Sequence, residues 1–409
     1  MHVQAPSADM AKNVALYPWF KAAQNLIFWQ AVWFLYFQNE LSAGEAILLY
    51  AIYDVGTTAL EVPSGYMSDR LGRRFTLIAA SVASLGGAAL LAVGDSFAVF
   101  ALAQVLLGAG AAFASGTDSA LLYESLAVDG RKGEIEREEL RAWRFTFVAL
   151  AISAVLGGAM ALWAAALPFA AAAVVMAVMT FLAFRFREPP RAPGAAGGGQ
   201  ARIQLAALGQ AFREPVLLWL FWLSVLMYTF SHIPFVFGQP FILEALRGTG
   251  LEAEAPLVSG SVSSTMMVLS VGASLLALGL RRRLGLSRLL LLAFAMQIGL
   301  IGALALSNDA IAIALLFLRM VPDALSRPFI LARIQPLLSD VSRATYMSLQ
   351  SFAGRLLFAA TLVLASGTTS DDAPMPYDEI QGILVGYVLV GLLCLGVLAL
   401  MARRHEIDA

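Results

Sequence analysis

Gly65-Tyr66-Met67-Ser68-Asp69-Arg70-Leu71-Gly72-Arg73-Arg74, preceded by Glu61-Val62-Pro63-Ser64, is a short cationic break between two long apolar stretches, 43–67 and 74–94. Each residue type has a physical reason to be there. Gly65 permits close helix approach, and Gly72 permits a backbone turn that a side chain would obstruct. Asp69 ends the preceding helix, where its carboxylate can accept hydrogen bonds from amides at the positive start of another helix. Arginines clustered beside apolar stretches of this length hold that break on the cytoplasmic side of a membrane.

The rest of the chain agrees with that setting. Of its 409 residues 59% are hydrophobic and only 13% charged, and the mean hydropathy is +0.76, which excludes an ordinary water-soluble domain of this length. A span needs roughly 20 apolar residues to cross ~30 Å of hydrocarbon. Twelve stretches qualify, near 15–37, 43–67, 74–94, 97–124, 141–162, 164–186, 214–241, 254–280, 287–306, 309–336, 344–368 and 380–402. The first is long, rich in Trp and Phe, and without a small-residue cleavage pattern, so it is expected to stay attached. Cys394 is the single cysteine and His2, His232 and His405 are scattered, so no disulfide or metal site is expected and no cofactor is implied. A net charge of −1 gives no reason to expect a nucleic-acid partner.

With both termini cytoplasmic, the inside breaks hold Lys12, Arg70, Arg73, Arg74, Arg131, Lys132, Arg137, Arg187, Arg191, Arg202, Arg281 to Arg283, Arg288, Arg343, Arg403 and Arg404, and the outside breaks hold Arg247 alone. That asymmetry fixes the orientation. The longest break runs Glu188-Pro189-Pro190-Arg191-Ala192-Pro193-Gly194 into Gly197-Gly198-Gly199, a linker composition. The expected organisation is therefore all-α: a six-helix bundle over 1–186, a cytoplasmic linker over 187–213, and a second six-helix bundle over 214–409. Arg70-Leu71-Gly72 recurs as Arg283-Leu284-Gly285 at the same point of the second half, as parallel repeats in transporters do.

The loop 65–74, between the second and third of twelve spans, resembles the signature loop of the major facilitator superfamily, and bacterial drug/proton antiporter-type members in particular. The resemblance implies two six-helix bundles that alternate access across the inner membrane, acting as a monomer. It implies that Asp69 reaches the start of span eleven near Ser342-Arg343-Ala344-Thr345, and that Arg73 pairs with an acid at the cytoplasmic end of span four, for which Glu124 is well placed. Gly65, Asp69, Arg70, Gly72, Arg73, Glu124 and Arg343 would form a conformational latch on the inside. The competing reading is that these charges only fix topology.

Ionisable groups inside a bilayer cost a few kcal/mol and call for a partner or a task. Seven stand out: Asp54 and Glu61 in span two, Asp118 in span four, Arg319, Asp323 and Arg327 in span ten, and Arg355 in span eleven. Spans three, six, nine and twelve hold none away from their ends; in the resembled family those are the outer supports, and the charged spans line or flank the cavity. Asp54 and Glu61, seven apart, share a helix face, and Arg319, Asp323 and Arg327 form a stripe at four-residue spacing. Asn25, Trp29 and Trp33 repeat every four residues on span one, as Tyr228 and His232 do on span seven, which makes these residues the candidate solute cavity. Lipid contact or helix packing is the competing reading of the tryptophans, and a satisfied polar residue that of His232. Proton coupling needs a carboxyl whose charged form is alternately desolvated and matched by a cation; Glu61 and Asp118 are the first candidates, with Asp54, against the alternative of a permanent ion pair. The arginine excess of the C-terminal half suits an anionic or zwitterionic solute.

Two departures from the resembled pattern bear on direction. Antiporters of the superfamily carry a Gly-Pro pair before Gly-Gly in span five; here Ser153-Ala154 precedes Gly157-Gly158. Span four offers Asp118 where many drug–proton antiporters have an arginine. The leading expectation is proton-coupled efflux of a small amphiphilic or anionic compound. The alternatives are proton-coupled uptake of a nutrient or siderophore-like organic anion, and a non-transporting sensor. No nucleophile with its base and no metal cluster points to an enzyme. The partners implied are the solute, protons and the bilayer.

Overall fold

Hydrophobic runs of twenty or more residues can satisfy their backbone in lipid only as helices or closed barrels, and helices are what form. The computed structural model describes residues 8–190, 209, 212–338, 340–370, 374–404 and 407, without the side chains of 8, 62, 136, 335, 336 and 340–345. Among the described residues there is no strand. Nine helical stretches among the described residues are long and apolar enough to span a membrane.

The chain divides into two compact units, Met1–Leu41 with Leu48–Pro193, and Ser42–Ile47 with Gly194–Ala409. In the first lie α1 (Ala8–Asn25), α2 (Trp33–Phe37), most of α3 (Ala43–Leu71), α4 (Arg73–Val93), α5 (Phe97–Ala114), α6 (Thr117–Val128), α7 (Ile135–Ala161) and α8 (Leu167–Arg185). Its core sets Phe20 of α1 against Leu77, Ala80 and Ala88 of α4, Leu121 of α6, and Met176, Met179 and Ala183 of α8. The second unit holds α9 (Pro215–Leu246), α10 (Ala255–Leu284), α11 (Leu286–Leu306), α12 (Val321–Leu337), α13 (Asp340–Ser366) and α14 (Tyr377–Arg404). Here α9 is the buried centre: Phe230 meets Phe294 of α11 edge to face at 5.2 Å, and the indole of Trp219 donates to the Leu398 carbonyl of α14 at 2.9 Å.

The three expected spans that fall outside the nine are the first, second and tenth, and their chemistry explains it. The first is broken: α1 ends at Asn25, a 3-10 turn covers Phe28–Ala31, and α2 is five residues long. Asn25 Nδ2 bonds back to the Lys21 carbonyl at 2.8 Å, one way a side chain competes with the helix. The tenth begins as a 3-10 turn, Ala312–Leu318, and becomes α-helical only at Val321, with proline in the first turn. The second is a continuous helix of 29 residues, α3, but carries Asp54, Glu61 and Asp69. The fourth is also interrupted, at Ser115-Gly116, where Gly116 takes a left-handed φ of +72° and α6 starts anew. Irregular backbone at such depth is tolerated where protein or a wet cavity surrounds it.

Small residues on α7 receive the break in the first span. Ala149, Ser153 and Gly157 are all buried, and a methyl at Gly157 would collide with the Phe28 carbonyl. Gln30 Nε2 donates to Ser153 Oγ at 3.0 Å and to the Leu150 carbonyl at 2.9 Å, so the interrupted segment is held by α7 side chain and backbone together.

Candidate functional site

In the first unit a lysine dominates that the count of intramembrane charges had left out. Lys21 Nζ of α1 lies 2.7 Å from Asp118 Oδ2 at the start of α6, their side chains 23% and 7% exposed. The same ammonium donates to Gln24 Oε1 at 3.0 Å, while Asp118 Oδ1 accepts the Ser119 amide at 2.7 Å. The Tyr17 hydroxyl stands 3.5 Å from Ser119 Oγ and from both carboxylate oxygens of Glu139. Asp118 therefore has a specific cationic partner in its own unit. Lys21 escaped the sequence reading because it sits near the start of a span; the signal that could have found it is that only Lys12, Lys21 and Lys132 are lysines in the chain. On α3, Asp54 is buried and Glu61 half-buried.

The span-one aromatics make ring contacts within the first unit. Trp29 stacks on Phe169 with planes 4° apart, and Trp33, 3% exposed, meets Tyr50 at 4.4 Å. Asn25 reaches Thr146 Oγ1 at 3.5 Å.

At the loop, Arg73 gathers its neighbours. Its guanidinium lies 2.7 Å from Asp69 and 3.0 Å from Glu124, and donates to Ser68 Oγ at 2.7 Å; Thr117 in turn bonds Ser68. Asp69 is one of Arg73's two carboxylate partners, because the turn at Gly72 brings residues four apart together; the Ser342–Thr345 stretch it was expected to reach lies among residues whose side chains are not described. The Arg343 side chain falls outside the described residues. A Cβ at Gly65 would meet no described atom of its unit within 4 Å. Arg70 lies over the Tyr66 ring at 5.2 Å. Glu188, read as linker, accepts the Arg73 and Arg74 amides at 2.8 and 2.7 Å. It caps the start of α4 beside Gly72, whose φ of +109° is one that L side chains rarely adopt.

In the second unit a different cluster forms. His232 and Tyr228 of α9 stack with centroids 4.2 Å apart, and His232 meets Phe358 of α13 at 5.3 Å. His232 Nδ1 lies 2.7 Å from the Tyr228 carbonyl, an oxygen that can only accept, so Nδ1 carries a proton. The Arg355 guanidinium lies 5.9 Å from the Tyr228 ring, and that of Arg319 lies 4.9 Å from Phe235. Arg319, Arg355 and Arg327 all act electrostatically on His232, and Arg327 and Arg319 act on Asp323, whose Oδ1 accepts from Gln297 at 3.2 Å. Arg319 and Arg355 thus each lie beside an aromatic ring of the second unit, contacts that favour a guanidinium. Gln297, Phe235 and Phe358 were missed by sequence reading, since nothing in an apolar helix marks which glutamine will meet an aspartate, or which phenylalanine an arginine or a histidine.

Comparison with known proteins places this geometry. The family model described as Major Facilitator Superfamily matches residues 19–362. No curated protein matches the chain in sequence. Among solved structures, a crystal structure of the nucleoside transporter NupG superposes with a TM-score of 0.76 at 12% identity, covering 94% of this chain and 99% of that one. The POT family transporter PepTSo gives 0.74 at 13% identity, with 97% and 99% covered, and a D-xylose-proton symporter 0.67 at 15%, with 94% and 96% covered. At these identities the likeness is one of fold. With its apolar helices and the family match over most of its length, the chain is a multi-pass membrane transporter and not an enzyme, and it belongs to the major facilitator superfamily.

Proposed function

We propose that this chain is a proton-coupled secondary transporter of a small amphiphilic organic anion, working by alternating access with export as its direction. The observation that carries the proposal is the placing of arginines on aromatic faces in the second unit, Arg355 at 5.9 Å from the Tyr228 ring, itself 4.2 Å from His232, and Arg319 at 4.9 Å from Phe235. In this reading twelve spans form two six-helix bundles, 1–186 and 214–409, joined by the linker 187–213, with both ends cytoplasmic in a cell's inner membrane and the protein a monomer. Glu61, Asp118 and Asp54 are the proton carriers. Arg73, holding Asp69 and Glu124, is the centre of an inside latch that includes Gly65, Arg70, Gly72 and Arg343. Uptake of an organic anion is the second reading, favoured by the Ser153-Ala154 pair that replaces the antiporter Gly-Pro.

The test is thermal stabilisation of the purified chain by a panel of carboxylates, each beside its uncharged amide, such as phthalate beside phthalamide. Selective binding to the folded state raises the unfolding temperature in proportion to ligand concentration over Kd. Stabilisation by the acids and not by their amides is expected. Stabilisation by amides or amines alone would remove the anion from the proposal.

A further inference from the structure

The Lys21–Asp118 pair has the construction of an exchangeable site. An ammonium has three donors, and Lys21 places two of them, on Asp118 Oδ2 at 2.7 Å and Gln24 Oε1 at 3.0 Å. The remaining donor is on a side chain 23% exposed. Asp118 holds a second anchor, the Ser119 amide on Oδ1, so its carboxylate can leave Lys21 and still be hydrogen-bonded. Access is provided locally: the chain breaks immediately before α6, and Ser115, Gly116 and Ser119 are exposed. The residue type fits as well. This chain uses arginine for all but three of its cations, and arginine's bidentate fork fixes a carboxylate. Lysine is a single mobile charge that hands one partner over for another. The acid on the other side, Glu139, stands with both oxygens 3.5 Å from the Tyr17 hydroxyl, which can donate to it.

We propose that Lys21 is a carboxylate-binding residue in the first unit, occupied at rest by Asp118 and taken over by the carboxylate of the transported acid. This rests on the reading of the chain as an organic-anion transporter, and it names the chemical class as a carboxylic acid. It also gives Asp118 a task beyond a fixed ion pair, because solute and Asp118 then compete for one cation.

Binding of phthalate to the full chain, measured by isothermal titration, tests it. Asp118→Asn removes the resident competitor and is expected to tighten binding at least tenfold; adding Lys21→Gln to that variant is expected to cancel the gain. Binding unchanged or weakened in folded Asp118→Asn overturns the proposal. Should that variant fail to fold, the unmodified chain gives the answer: labelling of Asp118 by a hydrophobic carbodiimide, followed by peptide mass spectrometry, is expected to change at least threefold as phthalate is added, and constant labelling at saturating phthalate overturns it. Arg355→Gln separates the two levels. If it abolishes binding while Asp118→Asn has no effect, the exchange is wrong and the anion-transport reading stands; if the unmodified chain binds no acid of the panel, both fall.

Discussion

In the first unit Lys21 meets Asp118 at 2.7 Å and Arg73 meets Asp69 and Glu124 at 2.7 and 3.0 Å. In the second, Arg355 lies 5.9 Å from the Tyr228 ring and Arg319 4.9 Å from Phe235, while Asp323 takes a hydrogen bond from Gln297. Both regions hold charged side chains on their helices, and they hold them differently. The first neutralises its charges pairwise across helices, so that moving one partner releases the other. The second sets arginines on aromatic faces, Arg355 beside Tyr228 and Arg319 beside Phe235, contacts that favour a guanidinium. Ion-paired charges suit switching, and arginines on aromatic faces suit the recognition proposed for them.

The largest effect should come from neutralising the arginines of the second unit. Arg355→Gln with Arg319→Gln is expected to weaken binding of a stabilising carboxylate roughly a hundredfold, since a charge-assisted hydrogen bond is worth ~1.5–3 kcal/mol. Loss of folding in place of loss of binding, seen as a collapsed unfolding temperature, would mean that the arginines serve the architecture. Next is the paired side of the comparison. Removing one partner of a buried pair costs about 3 kcal/mol or more, whereas removing both costs less. Chemical unfolding of Lys21→Gln should therefore show a larger loss than Lys21→Gln with Asp118→Asn; additive losses would mean the two residues are not energetically coupled.

Two smaller effects sharpen the comparison at the loop. Arg73→Gln frees Asp69, Glu124 and Ser68 at once, and labelling of an engineered cytoplasmic cysteine, in a Cys394→Ser background, is expected to change severalfold. Unaltered labelling would remove the latch and leave these charges a topological role. Glu188→Gln keeps the shape of the α4 cap but not its charge. Hydrogen exchange at the Arg73 and Arg74 amides should quicken a few-fold, consistent with ~0.5–1 kcal/mol for a helix-terminal charge; no change would mean that neutral hydrogen bonding is sufficient there.

What could be read in advance follows from the range of the physics involved. Apolar run length and arginine asymmetry are local properties, so the helical membrane class was legible from composition, and the loop 65–74 pointed to the family. Arg73 and Glu124 could be placed at one membrane surface by counting turns. The breaks in the first, fourth and tenth spans were not legible: Asn25 interrupts α1 by bonding its own backbone, and Gly116 resembles any other glycine of an apolar helix until its φ is known. The Lys21–Asp118 contact joins residues 97 apart, and periodicity within one helix carries no information on such a partner. Trp33 had the spacing of a cavity residue and lies in an aromatic core, because spacing identifies a face without saying what covers it. Glu188 was hidden by the Pro-rich composition around it, where a single carboxylate closes the start of α4.

The most direct test places the unmodified chain in proteoliposomes holding a pH-sensitive dye and adds the carboxylate that stabilises it most, at a concentration too low to cross the lipid unaided. The expected result is proton movement that depends on the acid, opposite to it in direction, and absent in Arg355→Gln. Solute movement with no accompanying proton, or equal movement of the uncharged amide, would contradict the account.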